Sequence, residues 1–191
     1  MRIIKIKIRE YPFNLCAFNH SLSKKTLLLQ KNKGIMKKKK VIALVAHDNR
    51  KLDIIEWVKW NWKELTPHNL ICTGTTGKLV SDALSKKAEE NNTVCPEITC
   101  LKSGPLGGDQ QLGALISEGK IDVLIFFWDP MQPQPHDVDV KALLRISTLY
   151  NIPSAYNRSS ADFIISSELF HEEYKPILKD YSSYIKRDLT V

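Results

Sequence analysis

The sequence predicts an α/β fold of three layers, in which a mostly parallel, five-stranded sheet of Rossmann-type topology carries helices on both faces. From residue 41 onward, short apolar runs alternate with segments of helical periodicity, and repeated βα units of this kind build parallel sheets. One run, IDVLIFF at 121–127, is apolar on both faces, as a central parallel strand must be. Gly-rich turns and acidic or imidazole side chains follow four of the strands, at the edge where such sheets bind ligands.

The individual elements follow from these apolar runs and from their spacing. Strands are predicted at 41–46, 69–73, 98–101, 121–127 and 152–156. Helices are predicted at 50–65, where Pro67 follows the end, and at 77–90, 109–118, 138–150 and 161–167. The segment 172–188 is expected to be helical in part.

The positive charge of the chain is concentrated near its N-terminus. The 191 residues have a formal net charge of +7. Residues 1–40 carry twelve Lys or Arg against one Glu, whereas residues 41–191 carry 16 Lys or Arg against 20 Asp or Glu. No basic helix and no interleaved aromatic stripe follows residue 40. A nucleic-acid partner is therefore not expected.

The first 35 residues look separate from the predicted domain. Met36 is followed by four lysines and then by the first strand, which is how an ordinary cytoplasmic protein begins. We expect residues 1–35 to be a disordered extension or the result of a misplaced start, and residues 36–191 to form a single domain. The TLLLQ run is too short for a secretory signal, and the basic, acid-poor composition fits an organellar transit peptide only partly, because Arg and Ser are not enriched.

The remaining composition predicts a cytoplasmic protein without a membrane partner. No apolar run is long enough to cross a bilayer. The four cysteines form no CxxC pair and no zinc-finger spacing, so no structural metal is indicated. Cys72 and Cys100 fall in apolar strand runs, where a reduced thiol in the core is the usual interpretation.

Two turns rich in Gly and hydroxyl side chains, TGTTG at 73–77 and SGPLGG at 103–108, each join a strand to a helix. Backbone N–H groups at a helix start, with hydroxyls beside them, suit an anion such as phosphate. Neither turn continues as a Walker loop or fits GxGxxG, which disfavours nucleoside triphosphates and dinucleotides. Phosphate binding and simple turn geometry remain equally open, and Lys51 is either a counter-charge or an ordinary surface lysine.

Titratable side chains accompany these strand ends, and each has two interpretations. Asp109 begins a helix, where it could pair with the helix dipole or act as a general base. His47, beside Asp48, could be a core histidine or a site histidine. Asp129 could cap a loop or serve the site.

The Pro-rich loop that follows the fourth strand adds a further group of candidates. His136 is more readily explained by function than by structure, since such loops seldom need an imidazole. Asp137 is expected at the N-cap of the next helix, and Asp139 could belong to the first turn or to the site.

Several reaction classes lack their usual motifs. The chain has no GxSxG elbow, no cysteine beside a recognisable His and Asn, and no HExxH helix, which argues against covalent catalysis and against a zinc hydrolase. The two His-Asp pairs resemble ligand pairs of metal phosphohydrolases, but they lie on separate loops. Acid–base chemistry on a phosphorylated carbonyl compound is the class that remains.

Taken together, these motifs resemble the methylglyoxal synthase family. The resemblance rests on AHD at 46–48, TGTTG at 73–77, the long stretch 103–130, PHD-DVKALLR at 135–145, NIP at 151–153 and ADFII at 161–165. It implies a lyase of methylglyoxal biosynthesis, a glycolytic bypass, that converts dihydroxyacetone phosphate to methylglyoxal and inorganic phosphate. It also implies no metal and no organic cofactor, phosphate as a product and regulator, and a homohexamer.

The resemblance implies roles for particular residues. Asp109 matches the catalytic base, and His47 matches the imidazole that polarises the carbonyl. Asp129 and His136 match groups that support proton transfer. Positions that match substrate- or phosphate-binding residues are Asp48, Lys51, Thr73, Thr75, Thr76, Ser103 and Gly104. Further candidates are Asp139, Arg145 and Arg187, of which Arg187 lies one position from the family's C-terminal arginine, with Asp188 in its place.

Two other functions remain open at this point. The same fold resembles non-catalytic regulatory domains that sense small molecules, although such a copy would lose the base and the imidazoles. A metal-dependent phosphohydrolase is the second alternative, and its activity would be sensitive to EDTA.

Overall fold

The computed structural model describes residues 36–133 and 135–185. These residues form a five-stranded sheet in the order β3-β2-β1-β4-β5. All four pairings between neighbouring strands are parallel, which confirms the predicted α/β class. The strands are β1 Val41–Ala46, β2 Asn69–Thr73, β3 Ile98–Leu101, β4 Val123–Phe127 and β5 Ser154–Ala155.

Eight α-helices occur in the described part of the chain. They are α1 Lys51–Trp60, α2 Trp62–Leu65, α3 Gly74–Glu90, α4 Gly108–Ser117, α5 Asp137–Leu149, α6 Arg158–Ile165, α7 Glu168–His171 and α8 Ser182–Ile185. Two short 3-10 turns, Asp48–Arg50 and Gly104–Leu106, precede α1 and α4.

The structure corrects several predicted boundaries. The helix predicted at 50–65 breaks at Asn61, whose side-chain amide donates to the Trp57 carbonyl at 3.0 Å; a short amide side chain that competes for backbone groups in this way disfavours a continuous helix. The third helix begins at Gly74 rather than at residue 77. The last strand is only two residues long, since Pro153 has no N–H to donate to a ladder.

Alternation along β1 supplies both faces of the sheet with core residues. Ile42 and Leu44 are buried in a cluster with α1, α3 and α6, whereas Ala43 and Val45 are buried in a second cluster with α4 and α5. Successive side chains of a strand point to opposite faces, so one central strand anchors two helical layers. The three-layer architecture is therefore confirmed.

The amino end of β1 is held by a buried histidine and a half-buried aspartate. The Lys40 amide donates to His68 Nδ1 at 3.1 Å, and the next amide, that of Val41, donates to Asp122 Oδ2 at 2.7 Å. Burial lowers the pKa of His68 to about 4 and raises the pKa of Asp122. Both groups satisfy backbone donors at the point where the chain enters the sheet.

Strand β3 lies at an edge of the sheet, and this position changes the prediction for one cysteine. Cys72 on β2 is buried as expected, but its register partner Cys100 is exposed. Predicting a core thiol at Cys100 was wrong, because the apolar run alone does not distinguish an edge strand from a central one. None of the helices in the described residues is long and apolar enough to span a membrane.

Candidate active site

A cavity of about 280 Å³ opens at the carboxyl ends of β1, β2 and β3, beside the loop that leads into α5. This is the edge at which parallel α/β sheets bind ligands. The lining residues come from five separate stretches of the chain. They are Val45, Ala46, His47, Asp48, Lys51, Thr73, Gly74, Thr75, Thr76, Ser103, Gly104, Pro105, Asp109, Phe126 and His136.

Gly74 allows the two Gly-rich turns to touch each other. Its φ is +47°, and a Cβ at this position would lie 2.7 Å from Ser103 Cβ. The Gly74 amide donates to the Lys102 carbonyl at 3.1 Å. A side chain here would meet both a steric clash and an unfavourable φ, so glycine keeps the two turns on one cavity.

The first turn of α3 faces the cavity through Gly74, Thr75 and Thr76. The first amides of a helix have no acceptor within the helix, and the positive end of its dipole adds to their attraction for anions. Thr73 occupies the N-cap position, but its side chain makes no capping hydrogen bond. This end of the cavity can therefore hold a phosphate group.

One cation lies on the cavity wall beside this turn. Lys51 Nζ is 2.5 Å from Asp48 Oδ1, and the lysine side chain is only 22% exposed whereas the aspartate is 78% exposed. This hydrogen bond and charge hold the pKa of Asp48 below its usual range. Because Asp48 is exposed, solvent screens this ion pair and its contribution to stability is small, so Lys51 can turn toward a bound anion at small cost.

Asp109 and His136 form a largely buried pair in the lining of the same cavity. Asp109 is the second residue of α4. Its Oδ2 lies 2.8 Å from His136 Nδ1, and the residue is 4% exposed. Burial raises the pKa of Asp109 against the opposing effect of His136. A buried carboxylate with a raised pKa is suited to accept a proton.

Gly104 lies against the Asp109–His136 pair, and its lack of a side chain leaves space for both groups. A Cβ on Gly104 would lie 2.6 Å from His136 Cε1 and 3.0 Å from Asp109 Oδ2. The predicted site position at Gly104 thus has a steric explanation: a side chain there would displace the pair.

His47 follows β1 directly and is held in one tautomer by the backbone. Its Nδ1 accepts the amide N–H of Asp129 at 3.3 Å, so in the neutral ring the proton is on Nε2. Burial lowers the pKa of His47, which favours that neutral ring. The Nε2 atom is buried and has no hydrogen-bond partner among the described residues. A buried donor without a partner is an unusual feature that a bound ligand would satisfy.

The two imidazoles therefore present opposite chemistry to one cavity. Their ring centroids are 6.1 Å apart. A neutral His47 offers an N–H at Nε2, whereas a neutral His136 that donates from Nδ1 to an ionised Asp109 would present an acceptor at Nε2. A carboxyl group and two imidazoles thus line one small space.

Asp129 lies outside the cavity lining, although the sequence placed it among the catalytic candidates. Its Oδ1 accepts the Met131 amide at 3.0 Å, and its Oδ2 accepts Asn49 Nδ2 at 3.1 Å. These two donors hold the pKa of Asp129 below its usual range. Its contact with the site is made by its backbone N–H, which holds His47.

The further candidates are placed elsewhere. Asp139 and Arg145 border a second cavity of about 230 Å³ between α4 and α5, which touches the first cavity only through Asp109. Arg187 lies outside the described residues, as does the segment 1–35. Asp137 is the first residue of α5, and His136 rather than Asp137 occupies its N-cap position.

Sequence reasoning missed two kinds of residue at this site. Phe126 lines the cavity and packs edge-on to His47 with ring centroids 5.1 Å apart, but it lies in an apolar strand that carries no sign of function. Asn49 was missed because its role depends on a contact 80 positions away in the chain. Its place directly after His47 and Asp48 was the available signal.

The described residues contain no group of three or more His, Cys, Asp or Glu side chains that could hold a metal ion. The donors of the cavity are instead N–H groups, hydroxyls and one ammonium, which suit an oxyanion. The fold and this donor set define an α/β domain with a cavity suited to a small anion beside a buried carboxyl group.

Comparison with known proteins makes this class specific. Residues 53–156 match the model of the MGS-like domain. The methylglyoxal synthase of Maridesulfovibrio salexigens is 58% identical over 158 residues, which are 81% of this chain and 100% of that protein. The methylglyoxal synthase of Oleidesulfovibrio alaskensis is 53% identical over 80% of this chain and 97% of its own length.

A solved structure agrees with the sequence matches. The crystal structure of methylglyoxal synthase from Elizabethkingia anophelis is similar with a TM-score of 0.72 and 47% identity, covering 81% of this chain and 95% of that one. The chain belongs to the methylglyoxal synthase family.

Proposed function

We propose that this chain is a methylglyoxal synthase that converts dihydroxyacetone phosphate to methylglyoxal and inorganic phosphate. The observation that carries the proposal is the buried Asp109–His136 pair on the same cavity as the unpartnered Nε2 of His47. Family membership supports the reaction type, a lyase reaction on a phosphorylated compound.

The first step is proton abstraction from the hydroxymethyl carbon of the substrate by Asp109. The substrate carbonyl oxygen becomes negatively charged as the enediolate forms, and the Nε2–H of His47 donates to it. A neutral imidazole is a suitable donor, because the acidity of its N–H is closer to that of the enediol hydroxyl than the acidity of an imidazolium is. His136 keeps the Asp109 carboxylate oriented through the 2.8 Å contact.

The second step breaks the bond between carbon and the bridging phosphate oxygen. The terminal hydroxyl of the enediol loses its proton to the Nε2 lone pair of a neutral His136, and the electrons of that oxygen expel phosphate. The product is the enol of methylglyoxal, which takes a proton at its methylene carbon to become the ketoaldehyde. Atoms and charge balance without an added oxidant or reductant.

Elimination requires that the phosphate group be held out of the plane of the enediolate, so that the breaking bond overlaps its π-system. The first turn of α3, the Thr73 and Ser103 hydroxyls and Lys51 surround the part of the cavity that can take the phosphate. Binding at this end also stabilises the charge that develops on the leaving group. We assign Asp48, Thr75, Thr76 and Gly104 to substrate binding on the same grounds.

The test is incubation of the full chain with dihydroxyacetone phosphate, with and without EDTA, while methylglyoxal and phosphate are measured separately. Equal amounts of both products, unchanged by EDTA, are expected. Binding of the substrate without turnover would favour the regulatory-domain alternative. Phosphate release without methylglyoxal, abolished by EDTA, would favour a metal phosphohydrolase.

Assembly, regulation and location complete the proposal. Apolar side chains at Leu106, Met131 and Val138 are 72%, 86% and 80% exposed, which supports their burial between subunits. We propose that the assembly is a homohexamer and that its product phosphate inhibits it.

The free thiols Cys72, Cys95 and Cys100 support a cytoplasmic location. Light scattering of the purified chain would test the hexamer, and phosphate titration of the rate would test the inhibition.

We further propose that residues 36–191 are the catalytic domain and that residues 1–35 do not take part in the reaction. The relative from Maridesulfovibrio salexigens aligns over its whole length while covering 81% of this chain. A chain that starts at Met36 should retain the kcat and KM of the full chain. Loss of activity in that shorter chain would contradict the proposal, and N-terminal sequencing of the native protein would show where it begins.

A further inference from the structure

We infer that Asn49 is a positioning residue that fixes the tautomer of His47, an inference that rests on the proposed function for its kinetic part only. Asn49 lies on the 3-10 turn Asp48–Arg50, two residues after His47. Its side chain is exposed and lies outside the cavity lining. Its influence on the site passes through Asp129.

The contacts form a closed connection between the ends of β1 and β4. Asn49 Nδ2 donates to Asp129 Oδ2 at 3.1 Å, and the Asp129 amide donates to His47 Nδ1 at 3.3 Å. The His47 amide in turn donates to the Phe127 carbonyl at 3.2 Å. The β4 exit is thus held by the segment that carries the histidine at two backbone groups, the Phe127 carbonyl and the Asp129 amide, and at the Asp129 side chain.

Of these contacts, the Asp129 amide is the one that decides the chemistry of His47. A donor at Nδ1 is compatible only with a ring that carries no proton there. The proton of the neutral ring must then lie on Nε2, where the buried, unpartnered position is found. If the amide turns away, both tautomers become available.

The carboxylate of Asp129 sets the direction of that amide. Its Oδ1 is engaged by the Met131 amide at 3.0 Å, a local contact within the loop. Its Oδ2 accepts a hydrogen bond from the Asn49 amide. Of these two contacts, the one with Asn49 joins the loop to the segment that follows β1. Without the Asn49 amide, Asp129 keeps its contact with the Met131 amide but loses its contact with the turn after His47. The hydrogen bond from the Asp129 amide to His47 Nδ1 is already long at 3.3 Å, so a small shift of the loop would break it.

The test compares Asn49→Ala and Asn49→Asp with a matched control, Arg50→Ala, in the full chain. Asn49→Asp keeps the shape of the side chain but loses the donor and places a second carboxylate against Asp129. Arg50 lies on the same turn, is similarly exposed, and its side chain pairs with Asp53 at 3.1 Å. Its charge also acts on Asp129, but its described hydrogen bond goes to Asp53, so this variant removes the charge beside Asp129 and keeps the Asn49 hydrogen bond. All three variants should retain the melting temperature of the parent, since exposed polar side chains contribute little to stability.

The direct readout is the tautomer of His47, measured from the imidazole ¹⁵N shifts in the protein without substrate. We expect the Nε2–H form in the parent and in Arg50→Ala, and a mixture with the Nδ1–H form in both Asn49 variants. With dihydroxyacetone phosphate, kcat should fall on the order of tenfold in Asn49→Ala, the size of effect typical of lost outer-sphere hydrogen bonds, and at least as far in Asn49→Asp. KM should change little, because no contact with the substrate is removed.

The outcomes separate the inference from the proposed function. A changed tautomer in a chain that has no activity toward dihydroxyacetone phosphate would support the inference and overturn the function. An active chain in which Asn49→Ala keeps the parent tautomer and a kcat within twofold would overturn the inference. Equal losses in Asn49→Ala and Arg50→Ala would also overturn it, because a general disturbance of the turn would then explain both.

Discussion

The two ends of the sheet each carry a buried histidine and an aspartate whose pKa is raised by burial. At the amino end, His68 and Asp122 accept the consecutive amides of Lys40 and Val41. At the carboxyl end, His47 accepts one amide, but Asp109 contacts His136 rather than the backbone. The residue types are the same, and their partners differ.

The difference lies in what the remaining polar atoms meet. The amino-end pair stabilises the entry of the chain into β1, where unsatisfied backbone donors would be costly. The carboxyl-end pair lines a cavity, and His47 Nε2 has no partner among the described residues. A raised or lowered pKa therefore does not identify a catalytic group by itself. Nor does an unpartnered buried atom, since Asn69 Oδ1 at the start of β2 also has no described partner; what distinguishes His47 is that its residue also lines the cavity.

The largest expected effect compares the two aspartates. Asp109→Asn should lower kcat about a thousandfold or more, because an amide cannot accept the proton, while a phosphate analogue still binds. Asp122→Asn should keep the parent kcat and lower the melting temperature by a few degrees, since Asp122 holds only the Val41 amide. Steady-state kinetics and calorimetry on both variants make the measurement. Similar kinetic losses in the two would remove the distinction between the ends.

The histidines give the next largest effect. His47→Gln should lower kcat by about 10²- to 10³-fold, the range for loss of a donor to a developing oxyanion, with little change in stability. His68→Gln should do the reverse and leave kcat close to that of the parent. The comparison fails if His68→Gln loses as much activity as His47→Gln at a temperature where both are folded.

Stability as a function of pH sharpens the contrast at the amino end. His68 has a folded pKa of about 4, below its ordinary value of 6.5, so the unfolded chain binds this proton more readily between those values. The free energy of unfolding should therefore fall as pH drops from about 6.5 to 4, by up to on the order of 3 kcal/mol from this residue. Urea unfolding across that range measures it. His68→Gln should show a shallower slope, and an unchanged slope would contradict the assignment.

The smallest effect concerns two glycines. Gly104→Ala should lower kcat about tenfold, because its Cβ would lie 2.6 Å from His136 Cε1 and would disturb a pair that must be placed closely. Gly113→Ala is the matched control: it lies on α4, its Cβ would meet Ile146 Cγ2 at 3.9 Å, and alanine favours a helix. Steady-state kinetics of both variants are the measurement. A Gly104→Ala enzyme with the parent kcat would contradict the prediction, because it would show that the Asp109–His136 pair tolerates the added methyl group.

Much of this architecture could be predicted from the sequence because the apolar pattern and the Gly-rich turns are local signals. The parallel sheet and the meeting of His47, TGTTG and SGPLGG at one edge follow from the alternation of strands and helices. The placement of Asp129 could not be predicted, since a side chain that follows a strand can point to the cavity or to its own loop. Asn49, Phe126 and the exposure of Cys100 depend on contacts between distant segments and on strand order.

The most direct test of the central claim uses dihydroxyacetone phosphate deuterated on its hydroxymethyl carbon. The parent chain should release phosphate and methylglyoxal in equal amounts, with one deuterium retained at the aldehyde carbon, and Asp109→Asn should form neither product. Asp122→Asn should behave as the parent. Turnover by Asp109→Asn at a rate near that of the parent, or phosphate release with both deuterium atoms retained on that carbon, would contradict the account.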